Sequence, residues 1–186
     1  MKNRNIIFAV ILIILGILFR TVWHLGPNVE FVTAATLLTA SYIGGWWVLT
    51  VPLLIMLISD CLIGNTNIFV FTWSAYLVMG IVGKWGFKNQ KHILKFKIIE
   101  ATGFGLLASV WFYVWTNFGV WFLDSWGMYP KTLAGLIDCY ILAIPFFKYN
   151  LIGNLLIVPV SFTAVELILN YLPVITKRLR PHPLIT

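Results

Sequence analysis

Residues 31–59 read FVTAATLLTASYIGGWWVLTVPLLIMLIS, 29 consecutive positions without a charge. As one helix the stretch would reach about 43 Å, well beyond a hydrocarbon core of about 30 Å. As two spans it is short. Gly44-Gly45 sits at its middle, where a tight turn needs glycine, and Trp46-Trp47 behind it suits a membrane–water interface. The stretch therefore predicts two helices that turn back at Gly44-Gly45.

The basic residues support the division. Lys84, Lys88, Lys91, Lys95 and Lys97 form the densest basic run in the chain. With Lys2 and Arg4 on the cytoplasmic side, one span over 31–59 would put that run outside; two spans put it inside, as the positive-inside rule requires. The same rule treats Leu133–Phe147, which carries Asp138, as a helix lying on the membrane and ended by Pro145. Lys177, Arg178 and Arg180 then also lie inside. The expectation is an all-α six-span bundle with both termini cytoplasmic. Its spans cover about 5–23, 28–44, 46–62, 68–85, 97–117 and 149–172, and an outer capping segment covers 118–148. Pro27 suits the first turn of the second span, and Pro52 and Pro159 should kink theirs.

Composition places the chain in the same class. Of 186 residues, 60% are hydrophobic and 10% charged, with mean hydropathy +0.92. Soluble domains average about 45–50% apolar and about 25% charged. A soluble globule, a disordered chain and a disulfide scaffold are excluded. Six spans use about 120 residues, which leaves a single transmembrane domain over 1–186 and no room for a soluble one. Ile6–Phe19 runs into Arg20, Trp23 and His24 without a small-residue cleavage site, so it reads as a retained helix rather than a signal peptide. In a soluble protein the net charge of +7 would suggest nucleic acid. Here the cations read as anchors facing membrane lipid, in a multi-pass protein of the plasma membrane.

Catalytic signals are missing from the sequence. His24, His92 and His182 fall on opposite sides of the expected membrane, and Cys61 and Cys139 form no motif. No HExxH, GxSxG, CxxC or Walker A spacing occurs. No enzyme, metal or cofactor is expected.

Charged and polar residues at membrane depth are costly, and they are the candidates for function. Arg20 and Asp60 fall at the outer ends of spans one and three. They can pair, bind opposite ends of a ligand, or simply snorkel to the interface. Glu100 reads as interfacial, and Glu166 as a partner of Lys177 or Arg178. Trp73 and Tyr76 share a helix face. Asn117 ends span five; Asn150 and Asn154 open span six. These positions predict an outer pocket between spans four, five and six, with Trp73, Tyr76 and Trp121 as stacking faces and Asn117 and Asn154 orienting a ligand. The competing reading is an aromatic belt with interhelical amide bonds. Thr36-Ala40-Gly44 and Ala101-Gly105-Ser109 are small-residue stripes that serve either internal packing or docking of another membrane subunit.

The pattern of these residues has a counterpart. Gly26-Pro27-Asn28, Gly44-Gly45, Val51-Pro52-Leu53, Ser59-Asp60 and Gly64 are followed by Tyr76 and Gly80. Then come Thr116-Asn117-Phe118-Gly119-Val120-Trp121 and the block Tyr129-Pro130, Cys139-Tyr140, Ala143-Ile144-Pro145-Phe146-Phe147 and Asn150. Over about 20–172 the chain resembles the substrate-binding S components of energy-coupling factor vitamin transporters. More narrowly it resembles an uncharacterised bacterial membrane family related to them. The resemblance implies a six-helix bundle that binds a vitamin or similar micronutrient near the outer face. It also implies loops that close over the ligand, here carrying Asn28, Asp60 to Asn67 and, within Phe118 to Lys148, Tyr129. A membrane scaffold subunit with two cytoplasmic ATPases is the implied partner. One departure is that the first span offers only Ala9 and Gly16 where S components carry an Ala-x-x-x-Ala docking stripe. The functional expectation is capture of a small solute for uptake. Its rivals are a structural or assembly protein of the cell envelope and, behind that, an intramembrane enzyme.

Overall fold

Gly44 and Gly45 both adopt the left-handed backbone, at φ 68° and 63°, and divide the apolar stretch into two helices as its sequence predicts. The structure is a computed structural model that describes residues 2–23, 25–64, 66–87 and 94–178, with side chains described for 3–23, 25–64, 66–87 and 94–170. His24, His92, His182 and Arg180, and the lysines at 88 and 91, lie outside the described residues. Six helices follow in order: α1 (Lys2–Thr21), α2 (Val32–Tyr42), α3 (Trp47–Ile63), α4 (Phe69–Gly86), α5 (Leu94–Leu123) and α6 (Leu133–Arg178). Asn3–Thr21, Leu94–Leu123 and Leu133–Asn170 are long and apolar enough to cross a membrane, and Trp47–Ile63 is a shorter apolar helix. Large apolar side chains such as Ile7, Leu107 and Val160 face outward, which suits lipid better than water.

α2 is the centre of the bundle. It packs against each of the other five helices, and every residue from Val32 to Ala40 is buried. Alanines and threonines allow that close approach. Thr36 and Thr39 donate to the carbonyls of Val32 and Ala35, so those two hydroxyl hydrogens are paired despite burial. The helix has 11 residues, about 16 Å, against the expected 28–44. Pro27 does not start it but lies in the preceding loop.

Pro52 has a packing consequence. It lacks the N–H that would bond to the Val48 carbonyl one turn earlier. Gly80 of α4 sits directly on that carbonyl, and a side chain at Gly80 would collide with it. A proline in one helix is thus matched by a glycine in its neighbour.

The membrane-lying helix expected over 133–147 is not a separate element. α6 runs without interruption from Leu133 through Pro145 and Pro159. Each proline removes one backbone bond, but packing along α5 outweighs that loss. Tyr113 on α5 donates to the Tyr140 carbonyl at 2.6 Å, and Tyr140 donates back to the Val114 carbonyl at 2.8 Å. Cys139 Sγ donates to the Asn117 carbonyl at 3.4 Å.

The capping segment expected over 118–148 shrinks correspondingly to the loop 124–132. α5 continues through Asn117-Phe118-Gly119-Val120-Trp121 because Phe71 of α4 packs into it. The Phe71 ring lies 5.2 Å from Trp115 and 6.3 Å from Phe118, over Gly119, where any side chain would strike it. Lys131 donates to the free carbonyls of Trp121 and Phe122 and so caps the helix end.

Candidate functional site

The end of α1 carries a guanidinium with all its bonds directed into the protein. Arg20 Nη2 donates to Asp60 Oδ1 at 2.7 Å, Nη1 to Glu30 Oε2 at 2.6 Å and Nε to Ser59 Oγ at 2.8 Å. Trp73 Nε1 donates to the other Asp60 oxygen at 2.7 Å, and Tyr76 OH to Glu30 at 3.3 Å. Side-chain exposure is 10% at Arg20 and 5% at Asp60. Arg20 and Asp60 therefore pair, and neither snorkels. The cluster ties the ends of α1, α3 and α4 to the α1–α2 loop.

Beside this clasp lies a cavity of about 330 Å³. Thr72 of α4 lines one side. Ser109, Phe112, Tyr113, Thr116, Asn117 and Val120 of α5 line the second. Cys139, Ala143, Phe146, Phe147 and Asn150 of α6 line the third. Asn28 and Tyr129 reach it from the α1–α2 and α5–α6 loops, and Ile68 from the start of α4. The loops are tied in place. Asn150 Nδ2 donates to the Asn28 carbonyl at 3.1 Å, and Val29 packs on Gly153 of α6. Ser125 donates to Asn67 at 2.7 Å, which joins the α5–α6 and α3–α4 loops. Asn28 and Asp124 hold positive φ at 57° and 41°, a conformation that asparagine and aspartate tolerate better than other non-glycine residues.

The volume falls at the lower end of small-molecule sites, and its lining has their usual mixture of aromatic walls and a few polar groups. Tyr113 and Phe147 form one wall with ring centres 4.6 Å apart. At Tyr129, in the loop, burial pushes the phenol up from its ordinary value.

A model of one protein family matches residues 1–175. The chain belongs to DUF6580, a family of unknown function. No curated protein and no solved structure matches the chain.

In this DUF6580 chain the sequence-predicted residues separate into two groups. Asn28, Asn117 and Tyr129 line the cavity. Asn154 stands just behind it, donating to Ser109 Oγ at 2.8 Å and Asn150 Oδ1 at 3.3 Å, so it braces two lining residues. Arg20, Asp60, Trp73 and Tyr76 form the clasp instead. Tyr76 and Trp73 do not face the cavity; the Tyr76 ring packs 5.3 Å from Phe112, behind the cavity wall. Trp121 also turns away, donating to the Pro130 carbonyl at 3.0 Å beneath Lys131. The aromatic faces come from Phe112, Tyr113, Phe146 and Phe147.

Sequence reasoning missed Glu30, which completes the clasp from an irregular loop. Asn150, grouped with Asn154 in the expected pocket by their four-residue spacing but given no ligand-orienting role, does line the cavity. At the opposite end of the bundle, Glu166 pairs with Lys97 at 2.8 Å and accepts from Tyr42 OH at 2.6 Å. The expected partners Lys177 and Arg178 have side chains outside the described set. Glu100 is half-buried, and its Oε2 meets no hydrogen-bond donor among the described residues.

Most of the small-residue stripe positions are spent on internal packing. Thr36, Ala40, Ala101 and Ser109 are buried, Gly105 faces Val158, and Gly16 of α1 faces Ile55. Gly44, the last member of the first stripe, lies in the turn with nothing within 4 Å of where a side chain would be.

Proposed function

We propose that this protein is a substrate-binding membrane subunit that captures a small solute from the outer face for uptake, and that it is not an enzyme. The observation that carries the reading is the cavity, where Asn28 and Tyr129, from two different loops, line one site with residues of three helices. A cleft of about 330 Å³ that combines apolar and aromatic walls with a few amides and hydroxyls is the usual make-up of a small-molecule site.

We further propose six membrane crossings with both termini cytoplasmic, in the plasma membrane of a bacterium, so that the cavity opens outward. The basic run at 84–97 and the basic C-terminal residues support that orientation. The sequence holds no Walker A loop, so energy for release inward comes from a partner: a membrane scaffold subunit with two ATPases, as the resemblance to S components implies. Its docking surface on this chain then draws on the large outward-facing apolar side chains, because most small-residue stripe positions are spent inside.

The test is purification in mild detergent followed by solvent extraction and mass spectrometry. The reading expects one small molecule, near equimolar with the protein, that disappears from an Ala143→Trp variant in which an indole fills the cavity. An empty wild-type protein that also fails to bind any small molecule added to it would contradict the reading.

A further inference from the structure

The hydrogen bonds around the cavity show which half of each polar group is still free. Thr116 donates its hydroxyl hydrogen to the Phe112 carbonyl at 2.7 Å, Ser109 to Gly105 at 3.1 Å, and Tyr113 to Tyr140 at 2.6 Å. Cys139 donates to the Asn117 carbonyl. Asn117 Nδ2 donates to the Tyr113 carbonyl at 2.7 Å, and Asn150 Nδ2 to the Asn28 carbonyl. The hydroxyl hydrogens of Thr116, Ser109 and Tyr113 and the Cys139 thiol hydrogen therefore point into the helix backbones, while the Tyr129 hydroxyl and the second amide hydrogens of Asn117 and Asn150 stay outside this set. Ser109 Oγ already accepts from Asn154, so the clearest uncommitted acceptor at the cavity is Asn117 Oδ1, which no donor among the described residues reaches.

None of the lining residues carries a charge. Of the neighbouring cations, Arg20 is committed to Asp60 and Glu30 and Lys131 to the end of α5, and exposed Lys148, next to Phe147, is not among the lining residues. A carboxylate or phosphate entering the site would give up part of its water and find no counter-charge among the lining residues, which costs free energy that a neutral ligand does not lose. Aromatic rings on two walls favour a flat partner that stacks on them.

Resting on the proposed function of the cavity as a solute site, we infer that its ligand is a small, uncharged, ring-bearing compound that presents N–H donors, such as a primary amide, a lactam or an aminoheterocycle, and that anions are excluded. The ring stacks on the wall of Tyr113 and Phe147, and an N–H reaches Asn117 Oδ1.

Three molecules of one shape separate the possibilities. Benzamide is neutral and a donor, methyl benzoate is neutral with acceptors only, and benzoate is an anion. Saturation-transfer NMR and calorimetric titration on the intact detergent-solubilised protein measure each. The expected result is that benzamide binds at least tenfold more tightly than either of the others, because a site built to meet a donor discriminates strongly against its absence. Asn117→Leu, close in size but without the acceptor, should remove that preference. Ala143→Trp should abolish binding of all three. If methyl benzoate or benzoate binds as well as benzamide, and Ala143→Trp still blocks it, the donor-seeking assignment is overturned while the cavity remains a binding site. If none of the three binds, or if Ala143→Trp leaves binding unchanged, the cavity is not the solute site and the proposed function falls with it.

Discussion

Arg20 and Asp60, 40 positions apart in the chain, meet at 2.7 Å with side chains only 10% and 5% exposed. The contact joins the end of α1 to the end of α3. It also brings Glu30 to the guanidinium, at the base of the loop that carries Asn28 into the cavity. The clasp is thus a support for the site, placed one layer behind its wall.

The strength of that support is measurable. Removing one member of a desolvated ion pair costs about 3–5 kcal/mol, because the other is left buried and uncompensated. Arg20→Ala and Asp60→Leu should each lower unfolding stability in detergent by about that amount. Glu30, with a quarter of its side chain exposed, should cost only about 1 kcal/mol when changed to glutamine. The combined Arg20→Met/Asp60→Leu variant should cost less than the sum of the single changes. A loss below about 0.5 kcal/mol for Asp60→Leu would mean the pair is solvated and carries no load.

The proline–glycine match between α3 and α4 predicts a sharp steric effect. A methyl group at position 80 meets the Val48 carbonyl that Pro52 leaves free. Gly80→Ala should therefore destabilise by about 1–3 kcal/mol despite the higher helix propensity of alanine. At Gly103, where an added methyl meets nothing within 4 Å, the same substitution should be neutral or stabilising. Thermal unfolding of the two variants makes the comparison, and equal effects would contradict the packing described.

How much of this was legible beforehand depends on whether the signal was local. The Gly44-Gly45 turn was readable because a left-handed turn has a residue signature of its own. The Arg20–Asp60 pair was readable as an option because two costly charges fell at the same depth. Pro145 misled, since a proline reads as a helix end, and the bonds that carry α6 past it come from Tyr113 on another helix. Trp73 and Tyr76 were correctly placed on one face, but spacing does not say which neighbour that face meets. Glu30 sits in an irregular loop with no periodicity to place it. Glu166 found Lys97 rather than a residue of its own helix because α5 and α6 run side by side.

Membrane orientation can be read from the native cysteines. Cys61, at the end of α3 next to Asp60, is exposed, and Cys139 is buried against α5. A membrane-impermeant maleimide added to intact cells should label Cys61 and leave Cys139 unmodified. Cysteines introduced singly at Lys84 and Lys95 should react only after the membrane is opened. Labelling at those positions in intact cells would reverse the proposed orientation.

The most direct measurement is the affinity of the extracted small molecule for the wild-type protein, for Asn117→Ala and for Glu166→Gln. Asn117 lines the cavity, whereas Glu166 bonds to Lys97 and Tyr42 at the opposite end. Loss of a buried amide partner costs about 1–3 kcal/mol, and about 1.4 kcal/mol is one decade in Kd. The account predicts that Asn117→Ala weakens binding about tenfold or more in calorimetric titration, while Glu166→Gln leaves Kd unchanged. Equal affinity in the wild-type and Asn117→Ala proteins, or a loss confined to Glu166→Gln, would contradict it.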